Sequence, residues 1–210
     1  MPSQSAGEYE TLIGWVDQIF GIHGQLQQGR GRRHEQEALH RASVVLTVAA
    51  WESYVEKILQ EALNAISVSY QNTTPSAPQW SIHAFEMRRA QLNSEINKFN
   101  TPNSENVRRL FNDSLGFDPW PAWQWRQGRR NWASSAVRER INNWLNIRHS
   151  IAHGFALPAQ IIWLAGSNGQ SRLTLNLVKE CRELFDFLVR ETDRAFSHHL
   201  MQSHGMPAPW

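Results

Sequence analysis

Only one cysteine, Cys181, occurs in the 210 residues, so an intrachain disulfide is excluded and a reducing compartment is the default expectation. Lysine is nearly as scarce. Lys57, Lys98 and Lys179 are the only three, and the other eighteen of the 21 basic residues are arginines. No apolar run approaches the roughly 20 residues that span a bilayer. The first residues lack the charged, then apolar, then small pattern of a signal peptide. Together these absences lead to the expectation of a cytoplasmic protein without a membrane partner. Glycine and proline are missing between His34 and Gln71, which removes the usual helix breakers from that stretch. With 41% hydrophobic residues and a formal charge of only +2, disordered and collagen-like chains are excluded as well.

What is present is helical periodicity. A chain of this length is expected to fold as a single domain over 1–210 around one core. Tyr9, Leu12, Ile13, Val16, Ile19 and Phe20 share a helix face, and the glycines from Gly21 onward are expected to end it. Arg30 to Arg33 reads as a loop. The stretch from about 34 to 71 keeps a helical period through Ala42, Val45, Ala49, Ile58 and Leu63, predicting one helix of about 35 residues and about 50 Å. A helix of that length serves as the spine of a bundle or a dimer. A polar helix is expected over about 82–99, and a short one from Thr101 to Gly116. A further helix is capped by Ser134 or Ser135 and stops at Gly154. Asn168-Gly169 suits a small β-hairpin near 161–175. The last helix covers about 177–200, and the tail from about 204 to 210 is expected to fray. The fold class is therefore all-α, an up-and-down bundle with at most one hairpin.

Between 117 and 133 the chain interleaves tryptophan with arginine: Trp120, Trp123, Trp125 and Trp132 among Arg126, Arg129 and Arg130. Such a segment can stack bases and hold phosphates, or its tryptophans can pin an irregular loop onto the bundle. The arginine excess is open in the same way. A guanidinium fork donates to phosphate in pairs, yet genome base composition produces the same bias.

Chemistry concentrates in Arg148-His149-Ser150-Ile151-Ala152-His153, closed by Gly154. Arg148 supplies a permanent cation and His153 a titratable imidazole, the two groups that metal-free cleavage of an RNA phosphodiester needs. Spacing alone is weak, because nine histidines in 210 residues give eighteen arginines about one such pair by chance. Arg194 with His199 is a second match, and Arg33 with His40 a looser one. Placement favours the first. Arg148 falls on the apolar stripe of Ile141, Trp144 and Leu145, where an arginine is rare unless paired or functional. A structural reading makes Arg148 the buried partner of Glu52, with His153 capping helix carbonyls. A zinc reading uses His149 and His153 at i, i+4, but it lacks an adjacent glutamate and a third ligand. A pH switch at either histidine stays open.

Two segments together resemble a known family. Trp51-Glu52-Ser53-Tyr54-Val55-Glu56 lies in the long helix, and Arg148 to Gly154 follows about a hundred residues later. The pairing resembles the HEPN superfamily, in particular its RiboL-PSP branch, over roughly 35–154 and the last helix. That resemblance implies a helical bundle that forms a homodimer and joins two helix ends into one cleft. It also implies a metal-independent endoribonuclease without a cofactor, acting on RNA as a toxin or anti-phage effector, with a cognate antitoxin or other defence protein as a further partner. By position, Arg148 and His153 match the family's catalytic pair, His149 its polar position, and Glu52 an acidic supporting residue. A non-catalytic helical module that binds RNA, nucleotide or a partner protein is the alternative.

Overall fold

The computed structural model describes residues 1–25, 36–73, 78–127, 130–166, 169–206 and 209–210. Its helices are α1 (Gln4–Gln25), α2 (Glu37–Thr73), α3 (Gln79–Ile96), α4 (Ser104–Leu115), α5 (Ser134–Ala152) and α6 (Leu175–His204). The 37-residue α2 is the spine, and α1, α3, α4, α5 and α6 all pack on it. Its apolar positions explain this role: Val44, Val48, Trp51, Val55, Ile58 and Ala62 are fully buried and repeat every three or four residues. Those side chains belong to one contiguous core with Ile141 and Trp144 of α5 and Leu184, Phe185, Leu188 and Phe196 of α6. No helix among the described residues is long and apolar enough to cross a membrane.

The Trp51-to-Tyr54 turn of α2 is where four parts of the chain meet. Trp51 packs against Tyr54 at 5.7 Å, Trp123 at 6.2 Å and Phe185 at 5.9 Å between ring centroids. Its indole N–H donates to the Pro102 carbonyl at 3.2 Å, and the Tyr54 hydroxyl donates to the Val189 carbonyl at 3.3 Å. Both polar tips are therefore satisfied inside the core, as buried Trp and Tyr require.

Five local expectations change. α1 continues through Gly21 and Gly24 to Gln25, because buried His23 stacks on buried His40 at 5.2 Å. Glycine costs a helix about 1 kcal/mol each, and that tertiary contact offsets part of it. The α5 N-terminus begins after Ala133 with no side-chain cap, since the Ser134 hydroxyl donates instead to the Trp120 carbonyl at 2.8 Å. Near 161–175 the chain makes a 3₁₀ turn, Ile162–Leu164, and a single bridge between Ala165 and Ser171. Ile161, Leu164 and Leu173 are buried, so the core holds both arms where they stand; Ser167 and Asn168 lie outside the described residues. The two-stranded hairpin falls in the Trp/Arg segment, as β1 (Trp125–Gln127) and β2 (Arg130–Trp132). Its cross-strand pair Trp125–Trp132 meets edge to face at 5.2 Å, the kind of contact that stabilises short ladders. Two positions of the tail are anchored where fraying is expected: Met206 is buried and the Trp210 ring packs 6.0 Å from Phe196, while 207 and 208 lie outside the described residues.

Candidate active site

The C-terminal end of α5 is built by Gly154, whose φ of 69° is a left-handed conformation that costs glycine little. The Phe155 N–H returns to the Ser150 carbonyl at 2.8 Å and the Gly154 N–H to the Ile151 carbonyl at 3.3 Å. This is a Schellman closure, and it satisfies carbonyls that the helix end would otherwise leave open. The closure also turns Phe155 back over the helix tip. His149 and His153 lie 4.3 Å apart between ring centroids, and the Phe155 ring stacks on His153 at 5.8 Å with a 24° tilt. All three are exposed, Phe155 by 58%. A large aromatic ring left in water beside two imidazoles was not anticipated from the sequence, although its place directly after Gly154 was visible.

Arg148 points the other way, into the bundle. Its side chain is 32% exposed and meets Glu52 of α2 at 3.4 Å, where the carboxylate is 16% exposed. Glu52 thus partners Arg148 as the structural reading expects. One guanidinium nitrogen makes that contact, and a guanidinium carries five N–H donors, so the pairing leaves donors for a ligand. Arg148 and His149 line a cleft of about 350 Å³ with Val48, Leu145, Asn142, Asn146 and the loop Thr101–Asn103. His153 is not part of its lining. The spacing Asn142, Asn146, His149 places all three on one face of α5, a signal present in the sequence but not used there.

Burial raises the Glu52 carboxyl above its ordinary value, and Arg148 offsets only part of this. Burial and then the Glu52 charge push the neighbouring Glu56 in the same direction. A carboxyl whose pKa is higher folded than unfolded binds more protons in the native state, so its contribution to stability declines as pH rises through the folded pKa. Glu52→Gln removes that titration and eases Glu56. Urea denaturation from about pH 4 to about pH 7 is expected to show the variant gaining on the wild type as pH rises. Parallel pH profiles would rule out Glu52 as a source of the slope.

The other expected residues are distributed differently. Arg130 lies 4.5 Å over the Trp125 ring and pairs with Glu183, so it serves the fold. Arg126 is exposed, bonded to the Gln124 side chain at 3.2 Å, and Arg129 lies outside the described residues. This hairpin precedes α5, whereas His153 follows it, a separation of about 28 Å at 1.5 Å per residue. Arg126 and Arg130 are therefore not gathered with Arg148. The tryptophans are packing groups: Trp123 and Trp125 are buried, and Trp120 is flanked by the guanidiniums of Arg108 at 4.1 Å and Arg138 at 3.8 Å. In the second Arg-His match, Arg194 pairs with Glu191, while the His199 ring nitrogen meets the Leu115 carbonyl at 2.8 Å. Arg33 lies outside the described residues, and the His40 ring nitrogen is bonded to the Leu173 carbonyl at 3.1 Å. No cluster of three or more His, Cys, Asp or Glu side chains suited to a metal occurs among the described residues.

A model of the RiboL-PSP-HEPN family matches residues 15–198. No curated protein and no solved structure matches the chain.

Proposed function

Because the chain belongs to the RiboL-PSP-HEPN family, we propose that it is a metal-independent endoribonuclease, acting as a homodimer in a toxin or anti-phage system. The observation that supports this reading most is the tip of α5. Two exposed imidazoles and an aromatic ring stand there, and Arg148, turned inward and held by Glu52, opens onto a cleft that His149 also lines. In this reading the ribose 2′-oxygen attacks the adjacent phosphorus, the P–O5′ bond breaks, and a 2′,3′-cyclic phosphate and a 5′-hydroxyl result. His153 takes the 2′ proton or delivers one to the leaving 5′-oxygen. Arg148 holds the phosphate and stabilises its added negative charge. His149 orients the linkage or supplies the second proton transfer, and in a dimer the opposed tip brings a second set of the same groups. Phe155 offers a stacking face to a flanking base, a contact worth about 1–3 kcal/mol per base in other proteins. An antitoxin would act by covering this tip.

The chemistry has a direct test. RNA is expected to be cut in excess EDTA, leaving cyclic phosphate ends, and a single 2′-deoxy substitution at the cut position should abolish that cut. Cutting that continues at the deoxy position would eliminate internal attack, and a strict need for added divalent metal would contradict the mechanism. Gel-shifted RNA that stays intact would favour the non-catalytic binding module instead.

A further inference from the structure

The cleft beside Arg148 is rich in hydrogen-bond donors, set among the acceptors that the His149 ring, the Thr101 hydroxyl and the Asn146 amide can offer. Along its loop wall several oxygens already accept a hydrogen bond. The Thr101 carbonyl accepts from the Asn106 side chain at 3.0 Å, and the Pro102 carbonyl from the Trp51 indole at 3.2 Å. The Asn103 side chain accepts from the backbone N–H of Asn106 at 2.8 Å. The Asn142 side chain accepts from the backbone N–H of Ser104 at 3.0 Å. A backbone N–H can only donate, so the atom facing it in each carboxamide must be the oxygen. The remaining atom of each amide is an NH2 group, with no internal partner among the described residues. Arg148 adds further donors at the same cleft. Leu145, 8% exposed, adds an apolar edge, and exposed Asn146 can turn either end of its amide inward.

We propose that this cleft is a nucleobase subsite that selects keto bases, uracil and guanine, over the amino bases adenine and cytosine. Uracil presents O2 and O4, and guanine presents O6 with N7, so each offers acceptors to fixed NH2 groups. At the equivalent ring positions the N6 amino group of adenine or the N4 amino group of cytosine would set a donor against those donors, where guanine O6 and uracil O4 set an acceptor. A volume of about 350 Å³ lies within the range of small-ligand pockets. The assignment deepens the ribonuclease reading by naming the base beside the phosphate at Arg148, and it rests on that reading only for its cleavage arm.

The binding arm titrates the full chain with UMP, GMP, AMP and CMP by calorimetry or NMR. UMP and GMP are expected to bind about tenfold more tightly than the other two. Asn103→Asp and Asn142→Asp keep the oxygen that accepts the backbone N–H, and aspartate caps a helix as well as asparagine. They exchange the free NH2 for an oxygen, so the order of affinities should move toward AMP and CMP. Equal affinity for all four nucleotides in the wild type would overturn the subsite without any variant. So would uniform weakening in both variants with the order unchanged. In the cleavage arm, mixed-sequence RNA should be cut with uracil or guanine enriched at one fixed position next to the break; cutting with no enrichment there would overturn the subsite and leave the nuclease standing. Keto-selective binding with RNA left intact would support the subsite and refute the nuclease.

Discussion

His153→Ala is expected to lower RNA cleavage by about a hundred- to ten-thousand-fold, the range for losing a general acid or base, while the helical fold is retained. The imidazole is exposed, and the C-terminal cap is made by the His153 backbone N–H to the His149 carbonyl at 3.1 Å. Removing the ring therefore leaves no buried group unsatisfied. It forfeits the exposed ring contacts with His149 and Phe155, and surface substitutions of this kind change stability by about 0.5 kcal/mol. Arg148→Ala should be equally inactive but carries a structural signature of its own. It strips Glu52 of the one charge that offsets its burial, so stability near neutral pH should fall as well. Arg148→Lys restores the charge without the fork and should recover the stability more than the activity. His149→Ala is the informative companion, since His149 lines the cleft with Arg148 and His153 does not. Single-turnover rates on one RNA, with circular dichroism on each variant, measure all four. Wild-type rates in His153→Ala would transfer the proton chemistry to His149, and wild-type rates in Arg148→Ala would remove the cleft from catalysis altogether.

Trp51→Ala carries the largest expected loss of stability, about 3–5 kcal/mol, against a total that is about 5–15 kcal/mol for a domain. The ring is fully buried among Tyr54, Trp123 and Phe185, so truncation opens a cavity where α2, α6 and the 117–133 segment meet. It also orphans the Pro102 carbonyl, which lies in the wall of the cleft. Trp51→Phe keeps one ring in the core but loses the second ring and the indole N–H, so an intermediate loss is expected, with the hydrogen-bond part about 0.5–1.5 kcal/mol. Urea denaturation measures both. A loss below about 1 kcal/mol for the alanine variant would mean that the core can collapse around the gap, and the junction would not be what aligns the cleft.

The tryptophan-rich segment illustrates how far composition can be trusted. Arginine beside tryptophan suits both a nucleic-acid groove and an intramolecular stack, because a guanidinium can bind either a phosphate or an indole face. Here the partners are internal: Arg130 with Trp125 and Glu183, Arg138 with Trp120, and Arg140 at 3.5 Å from the Trp163 ring while paired to Glu180. Little in the order of residues distinguishes these fates, since apart from Arg130 with Trp125, neighbours in one hairpin, the contacts join positions distant in the chain. The serine cap before α5 failed for the same reason. Ser134 has a local option at the helix start and a distant one at the Trp120 carbonyl, and only packing decides between them.

Periodicity, glycine placement and the paired segments around Trp51 and Arg148 determined the helical fold class, the single long spine, the helix end at Gly154 and the family. These are local matters, set by which side of a helix is apolar and where a left-handed residue is tolerated. Tertiary structure alone decided that Arg148 turns inward to Glu52 and that the Asn142 side-chain oxygen is taken by the Ser104 backbone N–H. Each of those depends on which distant groups fill a hydrogen-bonding position first, and a linear order of residues carries no record of that competition.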